Sequence, residues 1–352
     1  MSLRRPSSLA LLVLPGLSVA VAIALASRGL HGLLSEPLQR IVGEVIFAVL
    51  LGLVVGNVLP LGSLWRPGFR FAFRRVLRLA IVLLGARLVL GEILAIGGKA
   101  LLLVAALMAL ALAVAHTLGR ALGVPRKLAT LIGVGTSVCG NSAISATAPV
   151  IGAHDEDVSF AIATNTLLGT AAVFAYPLLG RALGFDDATF GTWAGTAVND
   201  TSQVVAAGFA FSEPAGEIAT TVKLVRNALM GVVIVAVGFL HADGAAGGPT
   251  RFADRVRQSV PPFVLAFLAM AVARTLGWLD AASAGLGVDV VAGLAATSKF
   301  LILVALAGVG LGTRLAVLRA TGPRPFVLGL ATAAAVSLAS LAAIAALGPA
   351  GG

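Results

Sequence analysis

Long apolar runs recur along the whole chain, and this feature limits the fold more than any other. A helix needs roughly 20 mostly apolar residues to cross the hydrocarbon core of a bilayer. The sequence therefore predicts an all-α integral membrane protein with about 11 transmembrane helices. The predicted spans are 9–27, 41–59, 76–96, 100–118, 128–150, 158–179, 190–211, 219–240, 261–277, 288–313 and 325–347.

The composition is unlike that of a water-soluble protein. Of the 352 residues, 59% are hydrophobic and 11% are charged, whereas soluble domains carry about 25% charged residues. Because so few charges cannot cover a water-facing surface, we predict a single polytopic membrane domain over residues 1–352. The one cysteine, Cys139, excludes an intrachain disulfide and a cysteine-based metal site.

The basic residues lie mostly in short loops between the apolar runs, and they produce the net charge of +10. Cytoplasmic loops of membrane proteins carry an excess of Lys and Arg. The distribution therefore predicts a cytoplasmic N-terminus and, with an odd number of spans, an extracytoplasmic C-terminus. It places the basic segment 120–127 inside and the acidic segment 154–157 outside. Since the basic residues form no continuous stripe, we expect a lipid bilayer and no nucleic acid as a partner.

Two internal similarities are present in the sequence. Eleven spans divide into helix 1 at 9–27, repeat A at about 41–182 and repeat B at about 190–347, and five spans per repeat make the second repeat inverted. Spans 5 and 10 then correspond to each other, and both contain a Thr-Ser pair. Separately, segment 135–146 matches segment 195–206 at a constant offset of 60 residues. Because spans 5 and 7 are predicted to run in the same direction, we interpret this second match as two helices under the same packing demands.

A polar segment at 133–144 interrupts predicted span 5 with three glycines. Glycine weakens a helix, and Ser, Thr and Asn compete for backbone hydrogen bonds. Non-helical backbone at membrane depth is tolerated only where it lines a cavity or is buried in protein, so a break here would mark a binding site. A restarted helix would favour an anion. A continuous helix with close helix contacts is the alternative. The predicted substrate-binding residues are Thr136, Ser137, Asn141 and Ser142.

A second polar segment lies within predicted span 7. Asp200 is its strongest signal, because a carboxylate at mid-membrane costs at least ~2.5–3.5 kcal/mol. It should be paired, protonated or bound to a cation, so we predict it as the coupling residue for a proton or sodium. An extracytoplasmic loop with Asp200 in water is the alternative. The neighbouring residues Asn199, Thr201, Ser202 and Gln203 are predicted to bind substrate.

Predicted spans 8 and 10 contain further charged residues. Lys223 and Arg226 share one helix face, where they could neutralise Asp200 or bind an anionic substrate. Ser298 and Lys299 lie in span 10, where the lysine could hold positive charge for an anion or exchange protons. We predict that all four contribute to substrate binding. For the cations, the alternative is a side chain that extends to a membrane interface.

Several strings occur in the order found in one known family: GTSVCGNSAISATAPVIGA at 135–153, FGTWAGTAVNDTSQVVAAG at 190–208 and VKLVRNALM at 222–230. In these residues the chain resembles the YeiH-like family of bacterial inner-membrane proteins, which is named for sulfate export. The resemblance implies a plasma-membrane transporter related in plan to sodium/proton antiporters and bile-acid symporters. Those folds contain two broken helices that cross at the midplane, and spans 5 and 10 are the expected pair. The chain departs from the family at Asn199, where His is expected, and at Asn141, where Gly is commoner.

Together these features predict a secondary active transporter of a small sulfate-like or sulfonate-like anion, coupled to protons or sodium. The sequence contains no metalloprotease, nucleotide-binding or serine-hydrolase motif, so we expect no enzyme activity, no cofactor and no metal. Two alternatives are a cation/proton antiporter, in which Asp200 and Lys299 form the exchange pair, and a non-transporting sensor or scaffold. A homodimer is expected only by analogy.

Overall fold

The computed structural model describes residues 6–35, 44–59, 61–241, 262–313 and 323–350, and every regular element within these ranges is a helix. In this part of the chain five helices are long and apolar enough to cross a membrane, or seven if each of two bent helix pairs is one span. The prediction of an all-α membrane protein is confirmed, and the count of 11 spans stays a prediction. Residues 41–43 and 261, where predicted spans 2 and 9 begin, lie outside the described residues.

The described residues form two compact units. Unit 1 comprises those within 1–90, 209–211 and 266–315, and unit 2 comprises those within 91–208, 212–265 and 316–352. In chain order the elements are α1 (Pro6–Gly32), α2 (Glu44–Val58), α3 (Arg66–Phe71), a π-helical turn (Ala72–Val76), α4 (Leu77–Leu84), a 3-10 turn (Gly85–Arg87), α5 (Leu90–Ala121), α6 (Arg126–Ser137), α7 (Asn141–Thr147), α8 (Asp155–Ala182), α9 (Asp187–Ala197), α10 (Thr201–Phe211), α11 (Glu213–Ala228), α12 (Met230–Leu240), α13 (Pro262–Thr275), α14 (Trp278–Leu286), α15 (Val290–Gly312) and α16 (Pro323–Leu347).

Helix α15 lies at the centre of unit 1 and packs against α2, α4 and the π-helical turn. Its contact with α2 is very close, since a Cβ atom added at Gly52 would lie 2.5 Å from the carbonyl oxygen of Ala307. Small residues allow this approach in membrane proteins. Helix α15 is continuous over 23 residues. The expectation that span 10 is a broken helix is therefore wrong, because Thr297 and Ser298 bond to backbone carbonyls without interrupting it.

Predicted span 3 (76–96) joins two separate elements. The 3-10 turn ends at Arg87, and Leu88 is extended, with φ −102° and ψ 137°. A new helix, α5, begins at Leu90 and runs for 32 residues, so that it also contains predicted span 4. Because both sides of this break are apolar and Leu88 is not a helix-breaking residue, hydropathy does not reveal it.

In unit 2, helices α6 and α7 form a helical hairpin, which we name hairpin 1. Its two ends lie together, because the ammonium group of Lys127 donates a 2.6 Å hydrogen bond to the carbonyl oxygen of Gly152. Its tip is the non-helical segment 138–140. At Gly140 the φ angle is +67°, a left-handed conformation that glycine adopts without strain. Predicted span 5 (128–150) therefore turns back instead of crossing the unit.

Helices α9 and α10 form a second hairpin, hairpin 2, whose tip is segment 198–200. A Cβ atom added at Gly191 of α9 would lie 2.8 Å from the carbonyl oxygen of Ala215. One added at Gly208 of α10 would lie 3.4 Å from the same oxygen. The two arms of the hairpin therefore lie side by side, and predicted span 7 (190–211) also turns back.

The hairpins approach the middle of unit 2 from opposite ends of the bent helix pair α11–α12. Hairpin 2 contacts the start of α11 at Ala215. The base of hairpin 1 contacts the end of α12, since Arg126 donates a 2.6 Å hydrogen bond to the carbonyl oxygen of Leu240. Helices α11 and α12 differ in direction by 40°. Helix α8, which connects the two hairpins, contacts both of them.

The 60-residue similarity is a repeat of the whole hairpin. Helix α6 ends at Ser137 and α9 ends at Ala197, while α7 begins at Asn141 and α10 begins at Thr201. Both ends of the break therefore recur 60 residues later. The interpretation of this match as two parallel helices under the same packing demands is wrong, because the segments are hairpins that enter from opposite ends. The two short arms of a hairpin together have the hydropathy of one helix that crosses the membrane. Hydropathy therefore did not distinguish the hairpins from crossing helices.

The hairpins also change the placement of the adjoining loops. Because Lys127 and Gly152 are in contact, the basic segment 120–127 and the acidic segment 154–157 lie at one end of unit 2. The predicted placement of these segments on opposite sides is therefore wrong for this unit. Counting Lys and Arg residues assumed that every apolar run crosses the membrane. A hairpin returns to the side on which it started, so the loops that follow it lie on the opposite side from the one predicted.

Candidate functional site at the hairpin tips

Two cations of α11, Lys223 and Arg226, occupy the space between the two hairpin tips. Their exposed fractions are 0% and 2%. Each side chain bonds to both hairpins, so the pair joins the tips. Lys223 Nζ donates to the carbonyl oxygens of Val138 (2.7 Å), Val198 (3.1 Å) and Asn199. Arg226 donates to five carbonyl oxygens: from Nε to Ser137 (3.2 Å), from Nη2 to Thr136 (2.6 Å), and from Nη1 to Gly195 (3.1 Å), Thr196 (2.7 Å) and Val198 (2.9 Å).

These carbonyl groups lie at the C-terminal ends of α6 and α9. The last four carbonyls of a helix have no partner within it, and a helix C-terminus carries roughly half a negative charge. Both ends are buried, so Lys223 and Arg226 supply the donors and positive charge that water would supply at a surface. An ammonium group has three donors, and Lys223 uses all three here. Lys223 therefore has no donor left for a ligand, although its charge still acts on the site.

Asparagines of the two long helices hold the second arm of each hairpin. Asn165 of α8 donates from Nδ2 to Oδ1 of Asn141, the first residue of α7, at 3.0 Å. Asn227 of α11 donates to Oγ1 of Thr201, the first residue of α10, at 3.2 Å. Asn141 and Thr201 are related by the 60-residue offset. The repeat therefore extends from the backbone to the polar contacts at the tips.

Asp200 caps the N-terminus of α10 at the junction of the two tips. Its Oδ1 accepts hydrogen bonds from the backbone N–H (2.9 Å) and the hydroxyl (2.6 Å) of Ser202. The side chain of Gln203 accepts from the backbone N–H of Asp200 at 3.3 Å, which completes a capping box. A Cβ atom added at Gly140 would lie 3.3 Å from the Cβ of Asp200. The carboxylate thus belongs to hairpin 2 and lies against the tip of hairpin 1.

Three buried amide oxygens at this site have no hydrogen-bond partner among the described residues: Oδ1 of Asn165, of Asn199 and of Asn227. The three residues are only 4%, 3% and 2% exposed. Leaving a buried acceptor unpaired costs ~1–3 kcal/mol. Three of them at one site indicate that another group, such as a ligand donor, a water molecule or a cation, satisfies them.

A cavity of about 250 Å³ lies beside the tip of hairpin 2. Val198 and Asn199 form one wall, and α8 and α16 supply the others, mainly through Ala, Gly and Leu residues. The rim is fixed by Trp193, whose indole N–H donates to Ser337 Oγ at 3.0 Å and whose ring stacks on Tyr176 at 4.2 Å. The cavity is therefore largely apolar, with an unpaired amide in its wall, which suits a small molecule.

Eleven of the predicted site residues lie in unit 2, on the two hairpins and α11. Thr136 and Ser137 contribute carbonyl oxygens to the contact with Arg226. Ser142 is exposed on α7. The other two predicted residues, Ser298 and Lys299, lie on α15 in unit 1. There the hydroxyl of Ser298 is buried and donates to the carbonyl oxygen of Ala80 at 2.7 Å.

Sequence reasoning gave too little weight to three residues at the tips. None of Asn165, Asn227 and the left-handed Gly140 is among the site residues predicted from the sequence. All three lie where a hairpin turns or where a long helix meets it. The signal that identifies them is the 60-residue repeat, because aligning the two hairpins also places Asn165 and Asn227 within two positions of each other.

The chain is similar in sequence to a set of known membrane proteins. The family model described as conserved hypothetical protein 698 matches residues 15–329. The chain is 36% identical over 333 residues to a UPF0324 membrane protein of Streptococcus pyogenes serotype M6, covering 94% of this chain and 96% of the relative. It is 34% identical over 316 residues to a UPF0324 membrane protein of Agrobacterium fabrum, with coverages of 88% and 86%. A third relative, from Clostridium tetani, is 31% identical over 324 residues. These matches confirm the resemblance seen in the sequence.

Proposed function

Since this chain belongs to the family of conserved hypothetical protein 698, whose curated relatives are named UPF0324 membrane proteins, we propose that it is a secondary active transporter of a small sulfate-like or sulfonate-like anion. It would work in the bacterial inner membrane, without enzyme activity. The observation that carries this proposal is the meeting of two hairpin tips at buried cations beside a cavity. Transporters bind substrates and coupling ions near the bilayer midplane, at interrupted helices.

The hairpins have the right length to end at mid-membrane. Helices α6 and α9 contain 12 and 11 residues, which correspond to about 18 Å and about 16 Å at 1.5 Å per residue. The hydrocarbon core is ~30 Å thick, so hairpins that enter from opposite sides would meet near its centre. Non-helical backbone is tolerated there only when it is buried in protein or lines a cavity. Segment 138–140 is buried, and Val198 and Asn199 line a cavity.

The charge balance at the tips favours an anion. Two cations, Lys223 and Arg226, face one carboxylate, Asp200, so the side chains at the tips carry a formal net charge of two minus one, +1. The cations bond to the carbonyl oxygens of Val198 and Asn199, and these two residues also line the cavity. Positive charge therefore lies one peptide group behind the cavity wall, where a low dielectric strengthens its action on an anion. The carboxamide of Asn199 would be the direct ligand, since a 180° rotation presents its NH2 group.

Asp200 is the coupling group in this proposal. Its carboxylate lies between the two hairpins and already accepts two hydrogen bonds from Ser202. A proton or a sodium ion on this group would change the charge balance of the tips by one unit. Binding of the coupling ion and of the anion would then favour each other electrostatically.

The direct test is flux into proteoliposomes that contain the purified protein. Sulfate and sulfite uptake would be measured with a pH gradient and a sodium gradient imposed separately. We expect saturable uptake that one of the two gradients accelerates. Uptake equal to that of protein-free liposomes under both gradients would refute the anion transporter.

We expect Asn199→Leu to lower this anion uptake at least tenfold while the protein stays folded. The substitution removes the one carboxamide in the cavity wall and leaves the contacts of Lys223 with the backbone in place. Uptake and thermal unfolding in detergent would be measured together. Ser159→Ala, at an exposed position of α8, is the matched control. Equal uptake by both variants would contradict the assignment of the cavity.

A cation/proton antiporter is the second candidate, and the unpaired amide oxygens favour it. Oxygens of Asn165 and Asn227 are ligands that sodium accepts, as hard cations prefer carboxylate and amide oxygens. Asp200 would supply the negative charge. Dissipation of a proton gradient on addition of sodium or potassium, with no anion uptake, would select this function.

A further inference from the structure

Four arginines in unit 1 line one cavity of about 650 Å³. Arg66 and Arg70 belong to α3, and Arg74 and Arg75 belong to the π-helical turn that follows it. All four side chains are exposed to this space rather than packed in the core. The wide π turn brings two consecutive arginines to the same cavity, and such turns often occur at functional sites.

The floor of this cavity is apolar and firmly held. It includes Val13 of α1 together with Phe71 of α3. The backbones of α1 and α3 touch here, since a Cβ atom added at Gly68 would lie 2.5 Å from the Cα of Gly16. A larger side chain at either glycine would separate the helices. The arginines therefore surround a fixed apolar surface instead of a flexible loop.

The positive charge of this cavity is not balanced within the described part of the chain. None of the four guanidinium groups has a carboxylate within 4.0 Å there, and the one recorded contact is Arg74 against the ring of Phe73, at 5.7 Å. Like charges one helical turn apart repel each other. A cluster of four cations around an apolar floor is thus complementary to an anion that also has an apolar part.

We propose that this cavity binds an anionic phospholipid whose headgroup carries two phosphodiesters, of the cardiolipin type. Guanidinium groups bind phosphate oxygens in a bidentate manner, and four of them can hold two phosphates. Helix α1 is one of the helices long enough to cross a membrane, so an acyl chain can lie along it next to Val13. Basic pockets on the cytoplasmic side of membrane helices recognise such headgroups, and the four arginines between residues 66 and 75 predict that side for this segment.

The test measures lipid retention by the full-length protein. Protein purified in a mild detergent would be mixed with cardiolipin, phosphatidylglycerol, phosphatidylcholine or inorganic phosphate and examined by native mass spectrometry. We expect cardiolipin adducts that survive detergent removal, fewer with phosphatidylglycerol and none with phosphatidylcholine. Loss of the cardiolipin adduct in about 10 mM phosphate, an excess over the lipid headgroups, would show a site for a soluble anion and would overturn the proposal.

The variant Arg70→Gln/Arg74→Gln tests the location. We expect it to retain cardiolipin at least tenfold less than the wild type. Arg78→Gln removes one positive charge from α4, the next helix, at a position that does not line the cavity, so this variant should retain lipid normally. In the absence of lipid, the unfolding temperatures of the two variants should lie within a few degrees of each other. Equal retention by the double variant and the wild type would overturn the proposal.

Discussion

At the scale of single residues, the main feature of the protein is a pair of cations that replaces water at two buried helix ends. Lys223 and Arg226 make eight hydrogen bonds to carbonyl oxygens of both hairpins. A buried charge is costly unless it is paired and hydrogen-bonded. Here the partners are two helix C-termini, and the stability of the tips depends on these cations.

We expect Lys223→Met to destabilise the protein by roughly 2–6 kcal/mol, because the carbonyls of Val138 and Asn199 lose their only cationic donor at ~1–3 kcal/mol each. Chemical unfolding in detergent measures the change. Lys127→Met is the control, since that lysine lies near the surface and makes a single bond to the carbonyl of Gly152. A Lys223 variant as stable as the control would contradict the structural role of the buried lysine.

Asp200→Asn separates coupling from folding. Asn is as good an N-cap as Asp, so α10 should keep its capping contact with Ser202 and the variant should stay folded. A group that cannot ionise removes the proton or sodium dependence. Proteoliposome uptake should therefore become equal with and without the driving gradient. Undiminished gradient-driven uptake would exclude Asp200 as the coupling residue.

At the scale of elements, the protein uses hairpins where hydropathy indicates crossing helices. The turn of hairpin 1 needs Gly140, which combines a left-handed backbone with a very close contact. A Cβ atom there would lie 2.6 Å from Nδ2 of Asn165. The same asparagine holds the first residue of α7, so the turn and the amide contact depend on each other.

Gly140→Ala should therefore destabilise the protein more than Gly184→Ala. Both glycines have a left-handed φ, +67° and +68°, but a Cβ atom at Gly184 meets nothing within 4 Å. The left-handed conformation alone costs about 1–2 kcal/mol for an alanine. The excess for Gly140, expected at about 1 kcal/mol or more on the scale of overpacked cores, has two sources: the contact with Asn165, and a ψ angle of −125° that lies outside the left-handed helical region. Equal unfolding free energies for the two variants would show that this contact is not tight.

At the scale of the whole molecule, the hairpins decide which loops share a side of the membrane. In unit 2 the ends of hairpin 1 meet at Lys127 and Gly152, while hairpin 2 contacts the opposite end of the α11–α12 pair. Each hairpin returns to the side on which it started. Because there are two hairpins, the loops after α12 lie on the same sides as they would if spans 5 and 7 both crossed the membrane. Outside segment 126–211, the sides of the loops are therefore the same whether spans 5 and 7 cross the membrane or turn back. Within that segment the two arrangements place the loops on opposite sides.

Single-cysteine labelling distinguishes these arrangements in a Cys139→Ala background. We expect Arg120→Cys and Glu156→Cys to react with an impermeant maleimide from one side of the membrane. Ala182→Cys and Pro214→Cys should react from the other side, because α8 crosses the unit between the hairpins. All four positions are exposed. Labelling of Arg120→Cys and Glu156→Cys from opposite sides would mean that segment 126–147 crosses the membrane.

The apolar runs and the scarcity of charge determine that this chain is an all-α membrane protein, because uninterrupted apolar runs of about 20 residues cross a bilayer as helices, which satisfy their own backbone hydrogen bonds. The polar segments likewise predict that residues 136–142, 199–203 and 223–226 belong to one region, and the contacts of Lys223 and Arg226 bring them together at the hairpin tips. The sequence could not show that spans 5 and 7 are hairpins, since the two short arms of each hairpin, of 12 and 7 residues in hairpin 1 and of 11 and 11 in hairpin 2, together have the length and hydropathy of one crossing helix. Nor could it show that α15 is continuous, since Thr297 and Ser298 satisfy backbone carbonyls there. Only tertiary contacts decide these points. After a break in a helix, the direction of the chain depends on the hydrogen-bond partners of the free carbonyl groups, and at both hairpin tips these partners are Lys223 and Arg226.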